Sequence, residues 1–73
     1  MEEEVKTLML NDKEFAVVDE LEYKGKKYMY LVELTGEEIQ IVEEFMEDLN
    51  TIIKTVNDKK LLDILEIEFA KRF

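Results

Sequence analysis

Between Lys24 and Leu34 the chain turns and then alternates, and no other stretch restricts the fold as strongly. Lys24-Gly25-Lys26 is a hairpin signal, because glycine takes a positive φ without steric cost. From Lys27 to Leu34, Tyr28, Tyr30, Val32 and Leu34 line one side, and Met29 and Leu31 line the other. Successive side chains of a strand point to opposite faces. Apolar residues on both faces therefore place this segment in the centre of a sheet.

A central strand needs neighbours. Upstream, Val5 to Leu10 is mostly aliphatic and β-forming, with Val5, Thr7 and Met9 on one face and Lys6, Leu8 and Leu10 on the other. Asn11-Asp12 then supplies a turn. From about Glu14 to Tyr23, Phe15, Val17, Leu21 and Tyr23 share a face at period two. Asp19 interrupts that face, which points to a bulge or a strand end near Val18-Asp19.

Downstream, Thr35-Gly36-Glu37-Glu38 is a turn, and residues 37–56 read two ways. At period two, Ile39 and Ile41 alternate with Gln40 until Val42 shifts the phase. At period 3.6, Ile39, Val42, Phe45 or Met46, Leu49, Ile52 or Ile53, and Val56 form one stripe. Thr35 to Glu38 also has the spacing of a capping box. Glu43, Glu44, Glu47 and Asp48 favour helix, whereas residues 51–56 favour strand. The residue pattern alone leaves both open.

The end of the chain reads as a helix from a cap at Asn57 or Asp58 to about Arg72. Leu61, Leu62, Leu65, Phe69 and Phe73 form its apolar stripe, and Lys71 and Arg72 fall in the last turn, where the helix dipole favours cations. That stripe is expected to contact Phe15, Val17, Tyr28 or Tyr30, or else Met29 and Leu31. Ile64 and Ile67 lie on the opposite side. Either the helix is packed on more than one side, or these two residues form a self-association face.

Composition narrows the function. The chain has no histidine, cysteine, serine, tryptophan or proline. Most protein nucleophiles, general bases and soft-metal ligands come from the first three, so an enzyme is not expected. Without cysteine, the 73 residues cannot be stapled by disulfides, and a domain this size has a thin core. Good packing or self-association must compensate, and a weak homodimer through a sheet edge or the back of the helix is expected. The net charge of −9 opposes nucleic acid and anionic membranes unless a basic patch is segregated. The densest basic clusters, Lys24-Lys26-Lys27 and Lys59-Lys60, read as solvated loop and helix-end charge. The acidic start Met1-Glu2-Glu3-Glu4 is unlike a signal peptide, no apolar run approaches the length of a membrane span, and a cytoplasmic location is expected.

Carboxylates are the remaining candidates for chemistry. Glu43-Glu44 and Glu47-Asp48 read as a solvated turn rather than a catalytic pair, and residues 43–50 lack the glycine of a calcium loop. Tyr28 and Tyr30 could stack bases, but their phase with Val32 and Leu34 favours packing. No residue is assigned a catalytic, cofactor or metal role. The partner-binding candidates are Ile64 and Ile67 for apolar contact, and Glu43, Glu44 and Glu47 for charge. The first function expected is a non-catalytic protein-interaction module. The alternative is a nucleic-acid mimic that occupies a basic groove, with Glu20, Glu22, Glu33, Glu43, Glu44 and Glu47 as its carboxylate array.

The order of segments also supports a resemblance. Residues 11–19 lead into 22–32 with a G-K-x-Y-x-Y-L-V arm, residues 37–44 follow, and residues 56–62 open a helix that ends E-F-x-K-R-F. The chain resembles the short acidic proteins of Gram-positive bacteria and their phages grouped as domain of unknown function twelve-ninety-two. The likeness covers nearly the whole chain and carries no activity or functional residue. It implies a β-meander followed by one helix, and so strands in the middle: Ile39 to about Phe45, a turn at residues 47–50, and Thr51 to Val56. The expected fold is therefore α+β, one domain over residues 1–73. It is an antiparallel β-meander of four to five strands with one C-terminal α-helix packed on one face.

Overall fold

A computed structural model describes residues 6–72. Val5, placed above at the start of the first strand, and Phe73, placed on the helix stripe, lie outside the described residues. Five strands and one helix follow in order: β1 (Thr7–Leu10), β2 (Lys13–Tyr23), β3 (Lys26–Glu33), β4 (Ile39–Glu47), β5 (Asn50–Thr55) and α1 (Lys59–Ala70). The strands lie in chain order and every neighbouring pair is antiparallel. Residues 39–55 form two strands, with β4 running past Phe45 to Glu47.

Three of the four strand connections are two-residue hairpins with positive φ at both central residues. They are Asn11-Asp12 (53° and 63°), Lys24-Gly25 (51° and 79°) and Asp48-Leu49 (48° and 70°). Such turns match the right-handed twist of the strands they join. Asn, Asp and Gly tolerate this region, but Leu49 does not, and its side chain is 95% exposed. Nothing that Leu49 packs against offsets the strain. Leu49→Gly is expected to stabilise the domain by about 0.5–1 kcal/mol. A higher urea midpoint with an unchanged slope would show it.

Val18 is the extra residue of a bulge. Val17 pairs with Leu31 while Asp19 pairs with Tyr30, so Val18 has no partner of its own on β3. The bulge divides the period-two set of β2. Phe15 and Val17 share the face of Met29 and Leu31, and Asp19, Leu21 and Tyr23 share the face of Tyr28 and Tyr30. The expected contact of Phe15 and Val17 with the helix stripe is corrected on this ground, since they lie on the other side of the sheet.

Each face carries its own core. On the helix side, Leu65 and Phe69 are buried against Tyr28, Ile41 and Val56, with Leu21, Tyr23, Tyr30, Leu61 and Leu62 around them. On the other side Phe15, Met29, Leu31 and Val42 are buried, with Leu8, Leu10, Val17 and Ile53 packed against them. Among the described residues, no helix covers this second face. The sheet curls into a half-barrel and packs the face upon itself, as the contact between Lys6 Nζ, just before β1, and Glu44 Oε2 of β4 shows (4.0 Å). The expected meander of four to five strands with its helix packed on one face is corrected in this respect. The five antiparallel strands in chain order and the single C-terminal helix on one face stand, and what changes is the shape of the sheet, a half-barrel whose curl buries the second face. The physical reason is the apolar content of the second face, which a flat sheet would leave in water.

The helix is capped at its start and tethered to the sheet at its end. Asp58 is the N-cap, and its carboxylate accepts from the backbone N–H groups of Lys60 (3.0 Å) and Leu61 (3.3 Å). Lys71 is the C-cap and Arg72 lies just beyond, so both basic residues follow the last turn instead of sitting within it. Arg72 Nε donates to Asp19 Oδ2 at 2.6 Å, and the Phe69 ring meets Tyr30 with centroids 5.4 Å apart. The bulge that turns Asp19 to the helix side thus also supplies the tether for the helix end.

Candidate functional site

Because Arg72 is held at β2, the C-terminal half of α1 leaves the start of β4 uncovered. A groove of about 430 Å³ opens there. Its floor is Ile41, Val56 and Phe69, all buried. Tyr30 and Leu62 form its walls, and Ile39 stands at its mouth, 54% exposed. Among the described residues, Glu66 is the one charged side chain lining it. Val32 pairs with Ile39 across the strands and so extends the apolar strip on the same face. Volume and lining fall in the range of sites that hold a few apolar side chains.

The sequence-level candidates are distributed differently. Ile64 is 39% exposed and Ile67 is 59% exposed, both away from the buried Leu65 and Phe69. Glu43 and Glu44 are consecutive on β4 and point to opposite faces. Glu43 sits on the helix side, beside a shallow depression with Lys54, Asp58 and Leu61. Glu44 sits on the half-barrel side, where Lys27 holds it at 2.9 Å. Glu47 ends β4 and is exposed. The three carboxylates therefore do not share one surface.

Lys27 is the hub of that end of the half-barrel. Its ammonium also reaches Glu20 at 2.8 Å, and these two hydrogen bonds, to Glu20 first and Glu44 second, push its pKa up. The Lys27 hydrogen bond in turn holds Glu20 below the ordinary value of 4.5. At the far end, Glu38 accepts from Gln40 (2.7 Å) and Lys13 (2.9 Å), which lower its pKa in that order. Burial pushes the Tyr28 phenol up, and the charge of Glu43 adds to the effect. A carboxylate with a depressed folded pKa contributes stability above its unfolded value and loses it as pH falls through the folded one. For Glu20 that loss lies below pH 4.5. In Lys27→Gln, the Glu20 titration followed by carboxyl carbon shifts is expected to move back up toward 4.5. An unmoved midpoint would show that Lys27 is not the cause.

Two lysine clusters that are distant in sequence converge. Lys24 and Lys26 of the β2–β3 hairpin and Lys60 of α1 line one depression with Tyr23, Leu61 and Ile64. Lys24 Nζ lies 5.5 Å from the centroid of the Tyr23 ring. Sequence reasoning missed both this convergence and the groove, because each is built from separate elements.

Among the described residues, no group of three or more acidic side chains is placed to hold a metal ion, and no helix is long and apolar enough to cross a membrane. Comparison with protein-family models, with curated proteins and with solved structures finds no match to this chain.

Proposed function

We propose that this chain is a non-catalytic protein-interaction module of the cytoplasm that engages its partner at the groove between α1 and β4. The observation that carries this reading is the exposed Ile39 at the mouth of a crevice with a buried apolar floor. Exposed aliphatic side chains beside a preformed apolar pocket gain most from a partner that removes both from water. The acids favour this reading over a carboxylate array, because Glu43 and Glu44 face apart and Glu44 is already paired with Lys27. Membership of domain of unknown function twelve-ninety-two is likewise a proposal, made on the order of segments, and it adds no activity.

Ile39→Asp tests the reading. The residue is exposed, so the change should alter stability by no more than about 1 kcal/mol. Proteins retained by the immobilised wild-type chain are expected to be lost from the variant, with its thermal midpoint nearly unchanged. Equal retention by both would remove the groove as the binding surface.

A further inference from the structure

The charge around the groove indicates what the partner carries, an inference that rests on the interaction-module reading above. Most paired acids lie elsewhere. Glu20 and Glu44 share Lys27, Glu38 holds Lys13, Glu68 holds Lys71, and Asp19 holds Arg72. Glu66, which lines the groove, and Asp63, three residues earlier on α1, are both exposed. Neither has an ion pair among the described residues. Glu37, two residues before Ile39, is exposed and equally without one. The lysines that line a pocket on this helix are on its other side, where Lys24, Lys26 and Lys60 surround Ile64 with Asp58 as the one acid among them. Lys59, the first residue of α1, stands about one turn before Asp63 and two turns before Glu66. From Asp63 to Ala70, the stretch of helix beside the groove, α1 thus carries carboxylates and no cation.

We propose that the groove docks a basic amphipathic segment of another protein. The segment inserts large apolar side chains between Ile39, Leu62 and Phe69, and sets Lys or Arg side chains against Glu66 and Asp63. Helix-in-groove recognition has this form, with apolar anchors at helical spacing and charges on the flanks. A chain of net charge −9 attracts such a segment over distance, and unpaired rim acids fix its orientation on arrival.

Three synthetic peptides of about twelve residues, roughly three helical turns, provide the test. All carry Leu and Phe at helical spacing; the remaining positions are Lys in the first, Gln in the second and Glu in the third. Each is titrated into the full chain while its amide resonances are followed. The Lys peptide is expected to shift Ile39, Leu62, Glu66 and Ala70, and to bind about tenfold more tightly than the Gln peptide at low salt, with the difference shrinking as salt rises. Glu66→Gln should weaken the Lys peptide by about threefold and leave the Gln peptide unchanged. If the Lys and Gln peptides bind the groove equally, the basic partner is overturned while the interaction reading stands. If no peptide shifts the groove residues, both fall. Shifts from the Lys peptide spread over the half-barrel face, or groove binding by the Glu peptide, would also overturn the proposal.

Discussion

Leu31→Asp is expected to unfold the domain. Leu31 lies on the central strand, fully buried, with Phe15, Met29 and Val42 around it on the face opposite α1. Among the described residues the cations of that face are already paired, Lys6 with Glu44. The Lys27 ammonium is engaged by Glu20 and Glu44, and the Lys13 ammonium is held by Glu38. An unpaired buried charge, added to the lost packing of a leucine, costs more than about 4 kcal/mol. In a domain this small one core rarely supplies more than about 3–5 kcal/mol, and this substitution removes one of the two. The circular dichroism of the variant should therefore be that of an unfolded chain at room temperature. The substitution also tests the half-barrel directly. On a flat sheet with one packed side, Leu31 would face water and aspartate would be tolerated, so a cooperative transition near the wild-type midpoint would disprove the second core.

That second core shows where sequence reasoning runs out. The alternation of Tyr28, Tyr30 and Val32 against Met29 and Leu31 is visible in the chain, and so is the need to bury both sets. What buries the second set is not visible. Sheet curl depends on how Leu8, Leu10 and Ile53 arrive from strands distant in sequence. The face of Phe15 was unreadable for a more local reason. A bulge near Asp19 was suggested by the interruption there, but a bulge reverses the parity of everything before it. Phe15 and Val17 therefore exchange sides relative to Leu21 and Tyr23, although all four are odd-numbered.

The middle of the chain was ambiguous because β4 buries Ile41 on one face and Val42 on the other. Adjacent buried residues break simple alternation and mimic part of a helical stripe. The helix was legible from both its cap and its stripe, as Asp58, Leu65 and Phe69 confirm. Of the candidate site residues, the helical spacing placed Ile64 and Ile67 outward. The groove needed Ile39, Leu62 and Phe69 from three places in the chain, and no spacing rule joins them.

Phe69→Ala is expected to cost about 3–5 kcal/mol, and Leu65→Ala about 2–5 kcal/mol, as buried aromatic and leucine truncations do. Phe69 is 1% exposed and meets the Tyr30 ring, while Leu65 is fully buried one turn away. Ile67→Ala, on the solvent side of the same helix, should cost less than about 0.5–1 kcal/mol. The contrast separates docking from helix propensity. Alanine is the better helix former at every one of these positions, so an undocked helix would gain from all three changes. A docked helix loses from two and is nearly indifferent to the third. Phe69→Ala also deepens the groove by removing part of its floor. A variant that still folds in a stabilising osmolyte should therefore keep the fixed near-ultraviolet signal of the tyrosines on the Tyr23 side while losing that of Tyr30. Equal small effects from all three substitutions, measured by urea unfolding, would mean that α1 is not held on the sheet, and the groove would go with it.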